Sequence, residues 1–96
     1  MAKNGRKAQR KSKRSRDQVK QMLREAFRKR FPNDTVDISD GYKDNIHVMV
    51  VSREFDEMGE REKQELMWEI IDSTELAENE KTLISLVYPV SPAEIK

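Results

Sequence analysis

The sequence predicts a small α+β domain with the element order α-β-β-α-(α)-β-(α), preceded by a strongly basic segment. Apolar residues recur at helical spacing in two segments, which predicts two amphipathic helices. Valine and isoleucine are concentrated in three short runs, which predicts three strands, and turn residues separate these runs. A chain of 96 residues has room for one domain with one modest core.

The first predicted helix begins at Ser15 and ends before Pro32. Ser15 and Gln18 have the spacing of a capping box, in which each side chain accepts a backbone N–H of the other residue. Asp17 lies in the first turn, where the helix dipole favours an anion. A single apolar stripe marks the face expected to be buried: Val19, Met22, Leu23, Ala26, Phe27 and Phe31.

Three strands are predicted after this helix. The first two cover residues 35–39 and 46–52, with a turn signal at Asp40-Gly41 between them. Because the connection is short, we expect these two strands to form an antiparallel hairpin. The last strand, residues 83–90, is apolar enough to be predicted as buried on both faces or central in the sheet.

A second helix is predicted over residues 60–72, with Gly59 as its N-cap. Its apolar face consists of Leu66, Met67, Ile70 and Ile71. A short further helical turn is predicted over residues 75–80. The residues Ser91-Pro92-Ala93-Glu94 predict a final turn, since serine caps helices and proline favours the first helical position.

Charge is divided unevenly along the chain. Residues 1–30 hold 13 Lys and Arg against two acids, a net charge of +11, whereas residues 31–96 hold 6 against 16, a net charge of −10. Residues 1–14 contain almost nothing apolar, so they are predicted to be a disordered basic arm, and residues 15–96 are predicted to be the folded domain. This charge division indicates a segment that binds polyanions, attached to an acidic body.

Nucleic acid is the natural partner of such an arm, because Lys and Arg neutralise phosphates and release counterions. Residues 1–26 contain no aromatic residue, so the arm is not expected to stack on bases, and binding should be largely independent of sequence. Alternatively, the arm is a solubilising tail, a targeting segment, or a tail that folds back on the acidic body. The predicted nucleic-acid contacts are Arg6, Lys7, Arg10, Lys11, Lys13, Arg14, Arg16, Lys20, Arg24 and Arg28.

Three segments of the chain resemble the BolA family, whose fold is similar to type II KH domains. They are VMVVSREF at residues 48–55, the turn and helix over residues 55–71, and LISLVYPVSPAE at residues 83–94. The resemblance covers roughly residues 17–95. It implies a three-stranded mixed sheet with helices packed on one face. It also implies an adaptor that binds a monothiol glutaredoxin, an iron–sulfur pathway partner or another acidic partner. The second helix and last strand would form the contact, with Trp68 and Tyr88 as candidate contact residues.

The chain departs from the family pattern at the positions that hold a shared [2Fe-2S] cluster. Leu83 stands where the family has a histidine, Lys63-Gln64 stands where it has an Arg-His pair, and the hairpin loop DGYKDN supplies neither Cys nor His. No cofactor is therefore predicted. The Gly-x-x-Gly loop of RNA-binding KH domains is also missing.

Catalysis is not predicted, because no residues have the arrangement of a nucleophile, a general acid and base, or a phosphate-binding loop. The chain has no cysteine, which excludes disulfides and thiolate chemistry within it. His47 is the single histidine and is interpreted as a partly exposed strand residue. The sequence contains no membrane-length apolar run and no secretory signal, so a cytoplasmic protein is expected.

Overall fold

A computed structural model describes residues 14–94 of the chain, and its element order follows the predicted one. The helices are α1 (Arg16–Arg30), α2 (Glu60–Asp72) and the short α3 (Glu78–Lys81), and the strands are β1 (Thr35–Asp40), β2 (Ile46–Val51) and β3 (Ile84–Val90). Single 3-10 turns cover Tyr42–Asp44, Arg53–Glu57 and Pro92–Glu94.

The strands form one mixed sheet in the order β1-β2-β3. β1 and β2 pair antiparallel, as the short connection predicts, and β3 pairs parallel to β2. β3 therefore lies at an edge, and the prediction that it is central or buried on both faces is wrong. Its apolar run combines buried residues such as Val87 and Val90 with Leu86 and Tyr88, which are exposed on the other side of the strand.

The start of α1 shows how local sequence fixes an element. The Ser15 hydroxyl accepts the N–H of Gln18 at 3.1 Å, and the Gln18 side chain accepts the N–H of Ser15 at 2.8 Å, which is the predicted capping box. The apolar stripe of α1 then buries Val19, Leu23 and Phe27.

The core lies between the helices and one face of the sheet. Ile46, Val48 and Val50 alternate with less buried neighbours along β2, as expected for a strand with one face in the core. Met67 and Ile71 of α2 pack into the same core. The opposite side of the sheet carries no helix among the described residues and is called the open face below.

Both edges of the sheet are partly protected against strand addition. Ser52 donates its N–H to the carbonyl of Val90, so that carbonyl faces β2. Because the direction of the backbone groups alternates along a strand, the backbone groups of Val87 and Pro89 face the outer edge of β3. Gln64 donates to the carbonyl of Val87 at 2.9 Å, and proline has no N–H to offer. At the other edge, Arg24 donates to the carbonyl of Ile38 in β1 at 3.3 Å. A partner would therefore have to recognise side chains rather than add a strand at these positions.

Candidate functional site

The residues predicted to bind nucleic acid divide into two groups. Arg6, Lys7, Arg10, Lys11 and Lys13 lie outside the described residues. Arg14, Arg16, Lys20, Arg24 and Arg28 lie just before or within α1.

Arg14 is the counter-ion of a buried carboxylate. Its guanidinium lies 2.8 Å from Oε1 of Glu80, whose side chain is only 4 % exposed. The N–H of Ala77 donates to the same oxygen at 2.7 Å, while Oε2 is buried and finds no hydrogen-bond donor within residues 14–94. A buried carboxylate is costly without a neighbouring cation, so Arg14 stabilises the fold as well as adding charge.

Arg16 and Lys20 contact the acidic end of the β1–β2 hairpin. Both donate to Asp40, at 2.7 and 2.8 Å, and Arg16 also lies 3.5 Å from Asp44. The hydrogen bond from Lys20 is the main reason that the pKa of Asp40 is held below its ordinary value. These cations therefore contact the chain's own carboxylates, whereas Arg28, further along α1, is exposed.

A further ion pair ties the end of α1 to the turn after β2. Two nitrogens of Arg30 each lie 2.8 Å from one oxygen of Glu54, a bidentate arrangement that favours a fixed geometry. The Arg30 guanidinium also lies over the ring of Phe31, 4.7 Å from its centroid. Its hydrogen bonds to Glu54 lower the pKa of that carboxyl and raise the pKa of Arg30.

The carboxylates of Asp40 and Glu54 make the stability of the fold depend on pH. Because the pKa values of Asp40 and Glu54 are lower in the folded chain, their contribution is complete above their unfolded pKa values and is lost as the pH falls through the folded ones. We expect Glu54→Gln to cost up to about 1 kcal/mol of unfolding free energy at pH 7 and less at about pH 2. Urea unfolding at both values measures this. The exposed Glu65→Gln is the control, and an equal loss at both pH values would contradict the expectation.

The hairpin loop, residues 41–45, is tight and strained. Gly41 donates its N–H to the carbonyl of Asn45 at 2.7 Å, and Asn45 donates its N–H to that of Tyr42 at 3.1 Å. Closing the loop places Lys43 and Asp44 at φ values of 53° and 66°, in the left-handed region. That region costs a residue with a side chain about 1–2 kcal/mol. The loop holds Tyr42 at 77 % exposure, with the Lys43 ammonium 5.6 Å from its ring centroid.

The ring of His47 lies against the backbone of Gly41. A Cβ at this position would stand 2.3 Å from Nε2 of His47. We expect Gly41→Ala to cost about 1–3 kcal/mol of unfolding free energy, since the imidazole must move. The double variant Gly41→Ala/His47→Ala should recover most of that loss in denaturant unfolding, with His47→Ala alone as the reference. No recovery would mean that the backbone, not the ring, is the obstacle.

The open face carries the largest apolar exposure on the sheet. The β2 residues His47 and Met49 pair with Leu86 and Tyr88 of β3, which are 46 % and 53 % exposed. On the β1 side, Ser39 and Asp37 stand opposite the same two β2 residues. Tyr88 is thus accessible to a partner, as a contact residue must be.

Trp68, the other predicted partner contact, lies elsewhere. It is half-buried on α2 and packs against the core from the helical side. Tyr88, by contrast, is exposed on the open face.

A cavity of about 330 Å³ lies between α1 and the end of α2. Its walls include Met22 and Ala26, the charged residues Glu25 and Lys29, and residues 73–75. The hydroxyls of Ser73 and Thr74 each donate to a carbonyl three residues earlier, at 2.6 Å, so they cap the helix end. The cavity provides no activated nucleophile, and its lining gives no support for catalysis.

Comparisons with known proteins bear on the fold. No protein-family model and no curated protein sequence matches the chain. Among solved structures, BolA1 from Arabidopsis thaliana superimposes with a TM-score of 0.57 at 20 % identity, over 81 % of this chain and 96 % of that one. The chain has a BolA-like fold. The α+β class and the mixed three-stranded sheet implied by the sequence resemblance are thereby confirmed.

The residues of this BolA-like domain do not fit an iron–sulfur cluster. Leu83, at the position of the family histidine, packs against the core. Lys63 is buried at 2 % exposure, with its ammonium 3.0 Å from a carboxylate oxygen of Glu60. Gln64 donates a hydrogen bond to the carbonyl of Val87 at the edge of β3. Within residues 14–94 no three His, Asp or Glu residues form a group that could hold a metal. No helix in this part of the chain is long and apolar enough to span a membrane.

Proposed function

We propose that the chain is a small, non-enzymatic, nucleic-acid-associated protein whose basic arm contacts the phosphate backbone. The observation that carries this proposal is the charge division, with +11 in residues 1–30 and −10 in residues 31–96. A run of cations on an acidic body binds polyanions through phosphate neutralisation. Six Lys and Arg precede Arg14 in the sequence.

The contacts of Arg14, Arg16 and Lys20 support different roles for the cations of residues 1–30. These cations pair with Glu80 and Asp40, so they tie Arg14 and the first turns of α1 to the body. The phosphate contacts are then left to the cations before Arg14, together with the exposed Arg28. Such contacts carry no base information, and binding should tolerate any sequence.

A salt titration of the full chain tests this function. We expect binding to a fluorescent single-stranded oligonucleotide to weaken steeply between 50 and 200 mM salt, with log K against log salt falling at a slope of roughly −4 if six phosphates are neutralised. Arg61→Gln, an exposed cation on α2, is the control and should keep the slope. No binding at 50 mM salt, or binding indifferent to salt, would overturn the proposal.

A second candidate function is that of a protein-interaction adaptor, favoured by Leu86 and Tyr88 on the open face. The sequence resemblance implies a monothiol glutaredoxin as the partner. The surface here is apolar with Asp37 beside Met49, so the matching patch should be apolar with a basic residue at its border. No shared cluster enters this candidate, because the residues that would ligate it are absent.

The double variant Leu86→Ser/Tyr88→Ser is expected to weaken such a complex about 30-fold or more, since exposed aromatic anchors dominate interface energetics. Calorimetry with a monothiol glutaredoxin measures it, and a colourless complex is expected. Tyr42→Ser, an exposed tyrosine outside the open face, is the control. Absence of a complex with the wild-type chain, or equal affinity for the double variant, would contradict this candidate.

A further inference from the structure

We infer that Tyr42 in the hairpin loop is a stacking platform for an unpaired base of a single-stranded nucleic acid whose phosphates are held by the basic arm. This site rests on the nucleic-acid function proposed above and adds a contact of different chemistry. The ligand class is single-stranded DNA or RNA, recognised by a π-face beside a cation-rich segment.

The first observation is the presentation of Tyr42. It is 77 % exposed, more than Leu86 or Tyr88. The two backbone hydrogen bonds that close the loop, from Gly41 to Asn45 and from Asn45 to Tyr42, fix the backbone from which its ring projects. A large aromatic side chain held out by a tight loop can accept a base with little loss of conformational freedom.

The second observation is the backbone at Lys43. Its φ of 53° is the left-handed conformation that glycine or asparagine adopts with less strain. In this conformation the Lys43 ammonium stands 5.6 Å from the centroid of the Tyr42 ring. A cation is thereby held over one face of the ring, so a base would stack on the opposite face of this exposed side chain. Strain of this kind is often kept at binding sites.

The third observation is the position of the basic arm. Arg16 pairs with Asp40 at 2.7 Å and with Asp44 at 3.5 Å, so the start of α1 is fixed against the hairpin loop. The basic arm therefore precedes a helix start that contacts the hairpin loop, although Tyr42 lies 26 positions beyond Arg16 in the chain. Residues 1–26 contain no aromatic, but the fold supplies one from another segment. Bases within a duplex are already stacked, so this arrangement favours a single strand.

Tyr42→Ala tests the inference in the full chain. We expect the affinity for a single-stranded oligonucleotide to fall about 5- to 100-fold with the salt slope unchanged, because stacking is not an ionic contact. Tyr42→Phe should stay within about twofold of wild type, since it keeps the ring. Asn33→Ala, a change at an exposed neutral residue in the turn after α1, should have no effect. Fluorescence anisotropy measures all four proteins, and thermal unfolding checks that each is folded.

An abasic oligonucleotide of equal length separates base stacking from backbone contact. Tyr42→Ala should not change binding to it. Salt-sensitive wild-type binding that Tyr42→Ala leaves intact would overturn the stacking site while the proposed function stands. An equal loss on the abasic strand would assign Tyr42 to the backbone and also overturn it. If the wild-type chain binds no oligonucleotide, the proposed function fails and the site fails with it.

Discussion

Deletion of residues 2–13 is expected to lower the affinity for single-stranded nucleic acid at near-physiological salt by about 100-fold or more. The deletion removes Lys3, Arg6, Lys7, Arg10, Lys11 and Lys13. Each lost phosphate contact should reduce the steepness of log K against log salt by roughly 0.7, so the slope should become shallower by about 4 if all six cations engage. A salt series on the full and shortened chains measures both quantities.

The matched control is a chain in which residues 2–13 are scrambled without changing their composition. It should bind as the wild type does, because phosphate contacts do not depend on the order of the cations. The shortened chain should unfold at the same denaturant concentration as wild type, since it keeps the pair between Arg14 and Glu80. An unchanged salt slope after deletion would show that the arm is not the polyanion-binding element.

Local signals explain why most elements could be predicted. The capping box at Ser15 and Gln18, the stripe through Phe27, and the alternation along β2 each act over a few residues. The helix predicted over residues 60–72 has the bounds of α2, although its N-cap is only a glycine. Where neighbours in sequence decide the structure, periodicity and capping were sufficient.

The errors come from contacts between distant segments. The apolar run of β3 was expected to be buried on both faces or central in the sheet, but an edge strand can carry the same residues when one face is left open. Lys63 reads as one more charge on an acidic helix, yet it is buried, with its ammonium 3.0 Å from Glu60. Nothing in a short window of sequence distinguishes such a lysine from an exposed one.

The candidate site shows the same limit. The charge division is visible in the sequence, but the approach of Arg16 to the loop of Tyr42 is set by the fold. Arg14 was predicted to be the last residue of a disordered arm, because its neighbours are polar and basic. Its contact with Glu80 joins residues 66 positions apart, and the composition of residues 1–14 does not reveal such a pair.

Arg14→Ala is therefore expected to destabilise the fold by about 2–4 kcal/mol, a large effect for a residue at the edge of the described chain. Glu80 would keep its bond from Ala77 but lose the cation that offsets its burial. Loss of one partner from a buried pair is costly because the remaining charge is desolvated and unpaired. Urea unfolding at pH 7 measures the loss.

The double variant Arg14→Ala/Glu80→Gln distinguishes this cause from loss of packing. Glutamine keeps an oxygen to accept the N–H of Ala77 and carries no charge, so the double variant should regain most of the lost stability. Arg14→Lys should retain part of it, since it keeps the charge without the planar guanidinium. A loss below about 0.5 kcal/mol for Arg14→Ala would mean that water solvates Glu80. If the expected loss is found, Arg14 belongs to the folded domain, and the segment that is free to contact phosphate ends before it.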